Sequence, residues 1–225
     1  EIGHLLTQGT ASGITVIGAH AFVAAGDAGL RVVDVSVPSS PVEIGFVDTL
    51  QYANDVAVSD GYALVADANS GLRIIDVTIP SAPVEVGFLN TADSVRGVAV
   101  SAGYAYVTGW AEGMHVIDIS TPSAPVEVGF VDTPGWAYSV AVDGQHAFVA
   151  DGPSGIRIID ISDLGWGLGA FPACFLPGEF SGGTPALEVH LEETVLRVQV
   201  AQGTGRVRPA RGDDVRAAQG VAIDL

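Results

Sequence analysis

The chain has 225 residues, of which 48% are hydrophobic and 16% charged, a composition too apolar for a disordered segment. Its formal net charge is −17 and it contains no lysine, so its surface repels phosphate backbones and nucleic acid is not expected as a partner. No stretch reaches the roughly 18 apolar residues of a membrane helix, so no membrane span is expected in this segment.

An internal repeat of 42 residues organises the chain from its first residue. Four segments align without gaps, and their last residues lie 42 apart: Leu30-Arg-Val-Val-Asp34, Leu72-Arg-Ile-Ile-Asp76, Met114-His-Val-Ile-Asp118 and Ile156-Arg-Ile-Ile-Asp160. A second landmark, Pro41-Val-Glu-Ile-Gly-Phe46, returns as Pro83-Val-Glu-Val-Gly-Phe88 and Pro125-Val-Glu-Val-Gly-Phe130. Glu1 is 42 residues before Glu43, so the sequence begins within a repeat.

Each repeat divides into four predicted strands rich in Val, Ile, Tyr and Phe. In the second repeat these are Asp55–Ser59, Tyr62–Asp67, Leu72–Thr78 and Val84–Leu89. The third strand is apolar on both faces, which is typical of sheets stacked between other sheets. The sequence therefore predicts an all-β chain forming a β-propeller of four-stranded blades, near 14–49, 55–91 and 97–133, with a fourth beginning at 139.

These motifs resemble the LVIVD-repeat proteins, whose name describes the segment seen here as Leu30-Arg-Val-Val-Asp34. The resemblance covers residues 1–163, which we assign to propeller repeats. It implies a propeller from a bacterial or archaeal protein that is often exported or attached to the cell surface, so an extracellular or cell-surface location is expected. It supplies no common catalytic residues.

The repeat stops after Ser162, and the remaining sequence has another composition. Residues 164–186 form a Gly- and Pro-rich loop or linker. Residues 187–225 are predicted to supply the outer strand of the fourth blade and a degenerate β continuation, although a segment of different origin fits the composition as well. Pairing of Leu187–Leu191 with Ile156–Ser162 would make the chain an arc or fragment of a larger propeller, which we favour. Pairing of Glu1–Thr7 there would instead close a four-bladed ring.

Residues able to do chemistry mostly recur at repeat spacing, which favours structural roles. The four aspartates that end the third strands are predicted to cap their own turns through Asx hydrogen bonds. Three of the five histidines (His20, His115 and His146) replace Tyr or Arg in repeated columns. Cys174 is the one cysteine of the chain and lies in an apolar segment. The loop Asp67–Gly71 lacks most of the ligands of a calcium-binding loop. No catalytic residue, cofactor or metal is therefore expected. The excess of acidic residues is expected to keep the protein soluble, and the alternative interpretation is a surface that binds divalent cations.

Residues that break the repeat pattern in loops are the candidates for binding. In propellers of the WD-repeat kind, the loops from the fourth strand to the next blade and those between the second and third strands open on the same face, and we expect the same order here. Aromatic and Arg side chains, which are enriched at binding hot spots, occur there among the candidate site residues Tyr52, Asn54, Arg96, Trp110, Trp136 and Tyr138. They could also pack on loop backbones.

Two functions follow as hypotheses. The first is a non-catalytic interaction module that binds a protein or glycan partner through that face. The second is a propeller hydrolase acting on a sugar or lactone at the channel mouth. Inner-strand columns that face the channel are mostly Ala, Val and Ser rather than clustered His, Asp or Glu, which favours binding over catalysis.

Overall fold

The computed structural model describes residues 1–91 and 93–162, together with the backbone of two strands at 187–192 and 195–200. Consecutive strands pair antiparallel into sheets that we call blades 1 to 4. Blade 1 contains β1 (Gly13–Ile17), β2 (His20–Ala24), β3 (Leu30–Asp34) and β4 (Val42–Val47). Blade 2 contains β5 (Asp55–Ser59), β6 (Tyr62–Ala66), β7 (Leu72–Asp76) and β8 (Val84–Leu89). Blade 3 contains β9 (Val95–Ser101), β10 (Tyr104–Gly109), β11 (Gly113–Asp118) and β12 (Val126–Val131), and blade 4 contains β13 (Ser139–Asp143), β14 (His146–Ala150) and β15 (Ile156–Asp160).

The blades agree with the predicted repeat in order and spacing. In blade 2 the first and fourth strands have the predicted bounds, whereas the second and third end one and two residues earlier than predicted. The third strand ends early because Asp76 turns the chain: its carboxylate accepts the backbone N–H of Thr78 at 2.9 Å. The same Asx bond follows Asp34, Asp118 and Asp160, as the sequence predicted.

Tight turns join the first two strands of each blade. In blade 2 the turn residues Asp60 and Gly61 have φ values of 50° and 82°. Both values lie in the left-handed region, which is the geometry of a two-residue type I′ hairpin. Such a turn matches the twist of the strands that it joins, so short-range sequence sets the pairing of these two strands.

Apolar side chains fill the spaces between successive blades. Between blades 1 and 2, Phe22, Leu30 and Val32 pack with Val65 and Ile75. Equivalent clusters lie between blades 2 and 3 and between blades 3 and 4. Leu72, Ile74 and Ile75 are fully buried, so β7 has no wet face, as the sequence predicted.

The described blades form an open array, and Glu1–Thr7 lies along blade 1. A Cβ added to Gly3 would meet the carbonyl oxygen of Pro38 at 2.1 Å, and the corresponding distance for Gly87 and Pro122 is also 2.1 Å. Residues 1–7 thus follow the path of a fourth strand that precedes blade 1. No backbone hydrogen bond in the described part of the chain joins Ile2–Leu6 to Ile156–Ile161.

The second compact unit of the chain is described only by a hairpin. Its strands β16 (Leu187–Glu192) and β17 (Val195–Val200) pair antiparallel, with Leu187 opposite Val200. A strand has two edges, so the assignment of Leu187–Leu191 to the fourth blade stays a prediction. The predicted loop at 164–186, Cys174 and residues 201–225 lie outside the described residues.

Candidate binding face

The candidate face is built where the turn between the second and third strands of one blade meets the segment entering the next. Gly26 forms an isolated β-bridge with Ala53, and Ala68 forms one with Val95. Trp110 occupies the position of Gly26 and Ala68 in blade 3, and Ala137 that of Ala53 and Val95. The repeat geometry therefore brings Trp110 beside Ala137, whose two neighbours in the chain are Trp136 and Tyr138.

Those two neighbours are aromatic, and they contact Trp110. The ring centroids of Trp110 and Trp136 are 5.6 Å apart with an interplanar angle of 29°, a stacked pair. Tyr138 meets Trp110 edge-on at 5.4 Å. Both geometries are favourable for aromatic rings. Trp136 and Tyr138 remain 47% and 42% exposed, so the cluster faces solvent.

Arg96 completes this cluster from strand β9. Its guanidinium carbon lies 4.2 Å from the centroid of the Trp110 ring, a cation–π contact. Its Nε is buried without a hydrogen-bond partner, and none of the ion pairs among the described residues includes Arg96. We call Arg96, Trp110, Trp136 and Tyr138 the aromatic patch.

The two other predicted site residues lie outside this patch. The Asn54 side chain donates to the carbonyl oxygen of Val95 at 2.8 Å, which fixes it beside the residue that precedes Arg96. Tyr52 lies one blade junction away: a Cβ on Gly26 would stand 2.8 Å from its ring, and its hydroxyl is 3.4 Å from Ser12 Oγ. Tyr52 and Trp136 occupy the same position in the repeat, but Tyr52 covers Gly26 whereas Trp136 stacks on Trp110.

A carboxylate that the sequence reasoning missed holds the Trp110 turn in place. Asp93 accepts the backbone N–H of Ser94 at 2.7 Å with one oxygen and that of Ala111 with the other. At the repeat position of Asp93, the other repeats have Gly9, Gln51 and Gly135. At the position of Gly109, the repeats on either side have the aspartates Asp67 and Asp151. Blade 3 thus gains an aspartate at one repeat position and lacks one at another, and this difference could have been found from the sequence alone.

Asp55 is the carboxyl group next to Asn54, and it links blades 2 and 3. It accepts the backbone N–H of Val98 at 3.1 Å and that of Val56 at 2.9 Å. Burial raises the pKa of Asp55 above its ordinary value, and these two hydrogen bonds partly oppose the rise. Its position and its bonds are those of a structural link between blades.

The remaining polar residues singled out from the sequence have partners within the blades. His115 is buried, with Nδ1 at 3.1 Å from Glu127 and Nε2 at 3.6 Å from Glu112. Both oxygens of Asp67 accept hydrogen bonds, from Thr49 Oγ1 and the backbone N–H of Gln51. Within the described ranges no group of three or more His, Cys, Asp or Glu could hold a metal ion. In the same ranges no helix is long and apolar enough to cross a membrane.

Stacked four-stranded sheets at a constant repeat define a β-propeller-like repeat protein. The chain belongs to the LVIVD repeat family, which matches residues 8–49, 51–91, 92–133 and 134–165. No match was found among curated protein sequences.

Two solved structures of designed proteins have a similar fold. The computationally designed Ika4 protein is 12% identical with a TM-score of 0.56, over 72% of this chain and 98% of that one. The computationally designed Ika8 protein is 9% identical with a TM-score of 0.57; the match covers 85% of this chain and 55% of that one, so this chain spans about half of its length. Identities this low indicate the fold alone.

Proposed function

We propose that this protein is a non-catalytic interaction module that binds a protein or glycan through the aromatic patch. The observation that carries the proposal is the exposure of stacked rings: Trp136 and Tyr138 each leave more than 40% of their surface in solvent although both contact Trp110. Rigid, partly exposed Trp and Tyr rings are the side chains that most often anchor binding partners.

Arg96 adds polar recognition to this apolar platform. Its charge lies over Trp110, and the described residues offer it no carboxylate, in a protein whose net charge is −17. Its N–H donors therefore suit an acceptor that arrives with a partner, such as a glycan hydroxyl or a protein carbonyl. The Asp93 carboxylate fixes the turn that carries Trp110, which lowers the entropic cost of binding.

We also propose that the protein acts outside the cell, exported or held at the cell surface, where protein and glycan partners are exposed. Membership of the LVIVD repeat family supports this location. Protease treatment of intact cells carrying the full-length protein tests it, because an exported protein would be degraded while a cytoplasmic marker survives.

The four blades are proposed to form an arc of a larger propeller and not a closed ring of four. Two observations support the arc: Gly3 sits against Pro38 as the outer strand of a preceding blade would, and β15 does not pair with Glu1–Thr7. A ring of four also requires about 90° of turn per blade, because four is the lowest blade number in the usual range of propellers.

The binding test compares one substitution in the aromatic patch with a matched substitution outside it. Trp136→Ala removes a ring that stacks on Trp110, and we expect about 10- to 100-fold weaker binding of any glycan or protein partner. The control is Phe88→Ala, because Phe88 is an aromatic ring that is 53% exposed and, like Trp110, contacts an arginine, with Arg73 at 4.8 Å.

Glycan arrays and pull-downs from extracellular protein mixtures identify candidate partners, and titration calorimetry measures their affinity. Equal affinity of the wild type and Trp136→Ala for every partner found would contradict the proposed patch. Loss of binding in the Phe88→Ala control as well would assign recognition to another surface.

A further inference from the structure

The outward face of blade 4 is the same kind of surface that the internal blade interfaces bury. Phe148, Ile156 and Ile158 are 36%, 73% and 65% exposed. They are the repeat equivalents of Phe22, Leu30 and Val32, which pack against blade 2 and are no more than 4% exposed. Blade 4 is the last of the described blades, and its outward face is not the polar face with which a stack of repeats ends.

Blade 1 presents the complementary surface at the other end of the array. Ile14 and Val16 are 65% and 55% exposed, whereas Val56, the equivalent of Ile14 in blade 2, is 2% exposed. A groove of about 430 Å³ runs between Ile14 and Leu5, with Val23 and Val33 in its lining. This groove lies where the middle strands of a preceding blade would pack.

The two ends of the described array also differ in their strands: blade 4 has a strand edge without a partner, and blade 1 has a neighbouring segment without a sheet. Among the described strands, blade 4 has three and β15 is its last, whereas blades 1 to 3 each have a fourth. Glu1–Thr7 follows a fourth-strand path against blade 1 without belonging to any of the described sheets. By the register of β3 and β4, Leu5 would lie opposite Ile156 and Gly3 opposite Ile158.

Charge complementarity follows the same register. Within blades 1 and 2 the buried arginine of the third strand pairs with a glutamate of the fourth: Arg31 with Glu43 at 3.6 Å, and Arg73 with Glu85 at 3.5 Å. Arg157 is the blade 4 member of this column: it pairs with Asp151 at 3.2 Å, as Arg73 does with Asp67, but is 40% exposed and has no glutamate partner among the described ion pairs. Glu1 is the glutamate one repeat before Glu43. Glu1 is 75% exposed and contacts only its neighbour His4 among the described ion pairs.

We propose that blade 4 of one molecule docks on blade 1 of a second copy of this chain, whose Glu1–Thr7 adds to β15 as the fourth strand. The contact is head to tail: Phe148, Ile156 and Ile158 cover the groove beside Ile14, and Arg157 meets Glu1 of the second copy. A head-to-tail contact closes into a ring or continues as a chain of molecules, depending on the rotation per copy.

This proposal rests on the arc arrangement proposed above and is independent of the aromatic patch. Loss of ligand binding in Trp136→Ala would leave it unchanged. An intramolecular ring of four blades would use the same surfaces but would leave the protein monomeric, so the mass in solution separates the two arrangements.

Sedimentation velocity of the full chain, together with two single-face variants, tests the docking. Ile158→Glu and Ile14→Glu each place an unpaired charge in the proposed contact, and each alone should sediment as a monomer with association weakened by at least about 100-fold. Mixing the two variants should restore a 1:1 dimer, because each supplies the intact face that the other lacks. Only a head-to-tail interface behaves in this way.

Matched controls keep the result interpretable. Ile158 and Ile14 are both exposed, so at a concentration where the wild type is also monomeric the variants should unfold at the wild-type temperature. Ile79→Glu, at a turn residue that is 62% exposed, should associate like the wild type. A wild-type chain that stays monomeric up to its solubility limit overturns the proposal. A mixture of the two variants that stays monomeric overturns it as well.

A charge substitution identifies the strand that completes blade 4. Glu1→Lys should weaken association by about 10-fold or more, because it places a cation against Arg157. Glu188→Lys makes the same change in the rival segment Leu187–Leu191 and should have no effect. The reverse result would assign the outer strand to Leu187–Leu191 of the same chain and would overturn strand exchange between copies.

Discussion

At the scale of single residues, one carboxylate at a blade junction carries several contacts at once. Asp67 is fully buried, accepts hydrogen bonds from Thr49 Oγ1 at 2.7 Å and from the Gln51 backbone at 3.1 Å, and lies 3.8 Å from Arg73. Asp151 repeats the arrangement with Thr133 at the junction of blades 3 and 4. Such a residue ties the end of one blade to the middle of the next.

Removing this carboxylate should be costly. We expect Asp67→Ala to lower the free energy of unfolding by about 2–4 kcal/mol, because it removes the acceptor of Thr49 Oγ1 and of the Gln51 backbone N–H and one of the two carboxylates beside the buried Arg73. Urea denaturation measures the loss. Asp27→Ala is the control, since Asp27 is exposed at the neighbouring turn of blade 1, and a change there as large as in Asp67→Ala would contradict the argument.

Asp76 gives a prediction for pH dependence. The hydroxyl and backbone N–H of Thr78 both donate to its carboxylate, and they hold the pKa of Asp76 below its ordinary value of 3.8. The folded state therefore stabilises the ionised form. This contribution to stability is complete above pH 3.8 and is lost as the pH falls through the lower folded-state pKa.

Thr78→Val removes the hydroxyl and keeps the backbone donor. We expect the pKa of Asp76 to rise toward 3.8 in this variant, which a carboxyl-carbon NMR titration would follow. Asp34, whose pKa Ser36 lowers in the same way, serves as the internal reference and should not move. An unchanged pKa for Asp76 would show that the hydroxyl contributes nothing.

At the scale of elements, the third strand of each internal blade is the centre of the packing. Ile74 in β7 is fully buried within the cluster between blades 2 and 3. Ile74→Ala should lower the free energy of unfolding by about 2–5 kcal/mol, through lost burial and the cavity that remains. Ile79→Ala removes the same groups from an exposed turn and should change stability little. Equal effects of the two substitutions would mean that the blade stack is wrongly assigned.

At the scale of the whole molecule, protection should fall from the middle of the array to its ends. Each blade contacts only its neighbours, as in other repeat proteins. Blades 2 and 3 are covered on both sides, whereas β15 has exposed residues at Ile156 and Ile158. Hydrogen exchange, at a concentration where the chain is monomeric, should therefore be slowest in β7 and β11 and faster in β15. Uniform protection along the array would contradict this picture.

The sequence by itself determined the repeat, the strand order, the Asx turns and the six candidate site residues. These follow from it because a constant period of 42 places every column at one point of the blade, so a column break such as Trp110 can be located without coordinates. Only the tertiary structure decided which of the six candidates meet. Tyr52 and Trp136 share a column, yet one covers Gly26 and the other stacks on Trp110, since each ring's contacts come from a turn 26 residues earlier in the chain. The tertiary structure also decided that Glu1–Thr7 does not pair with β15 among the described residues. Both segments have sequences able to pair, and the sequence pattern does not encode the rotation between neighbouring blades that would bring them together.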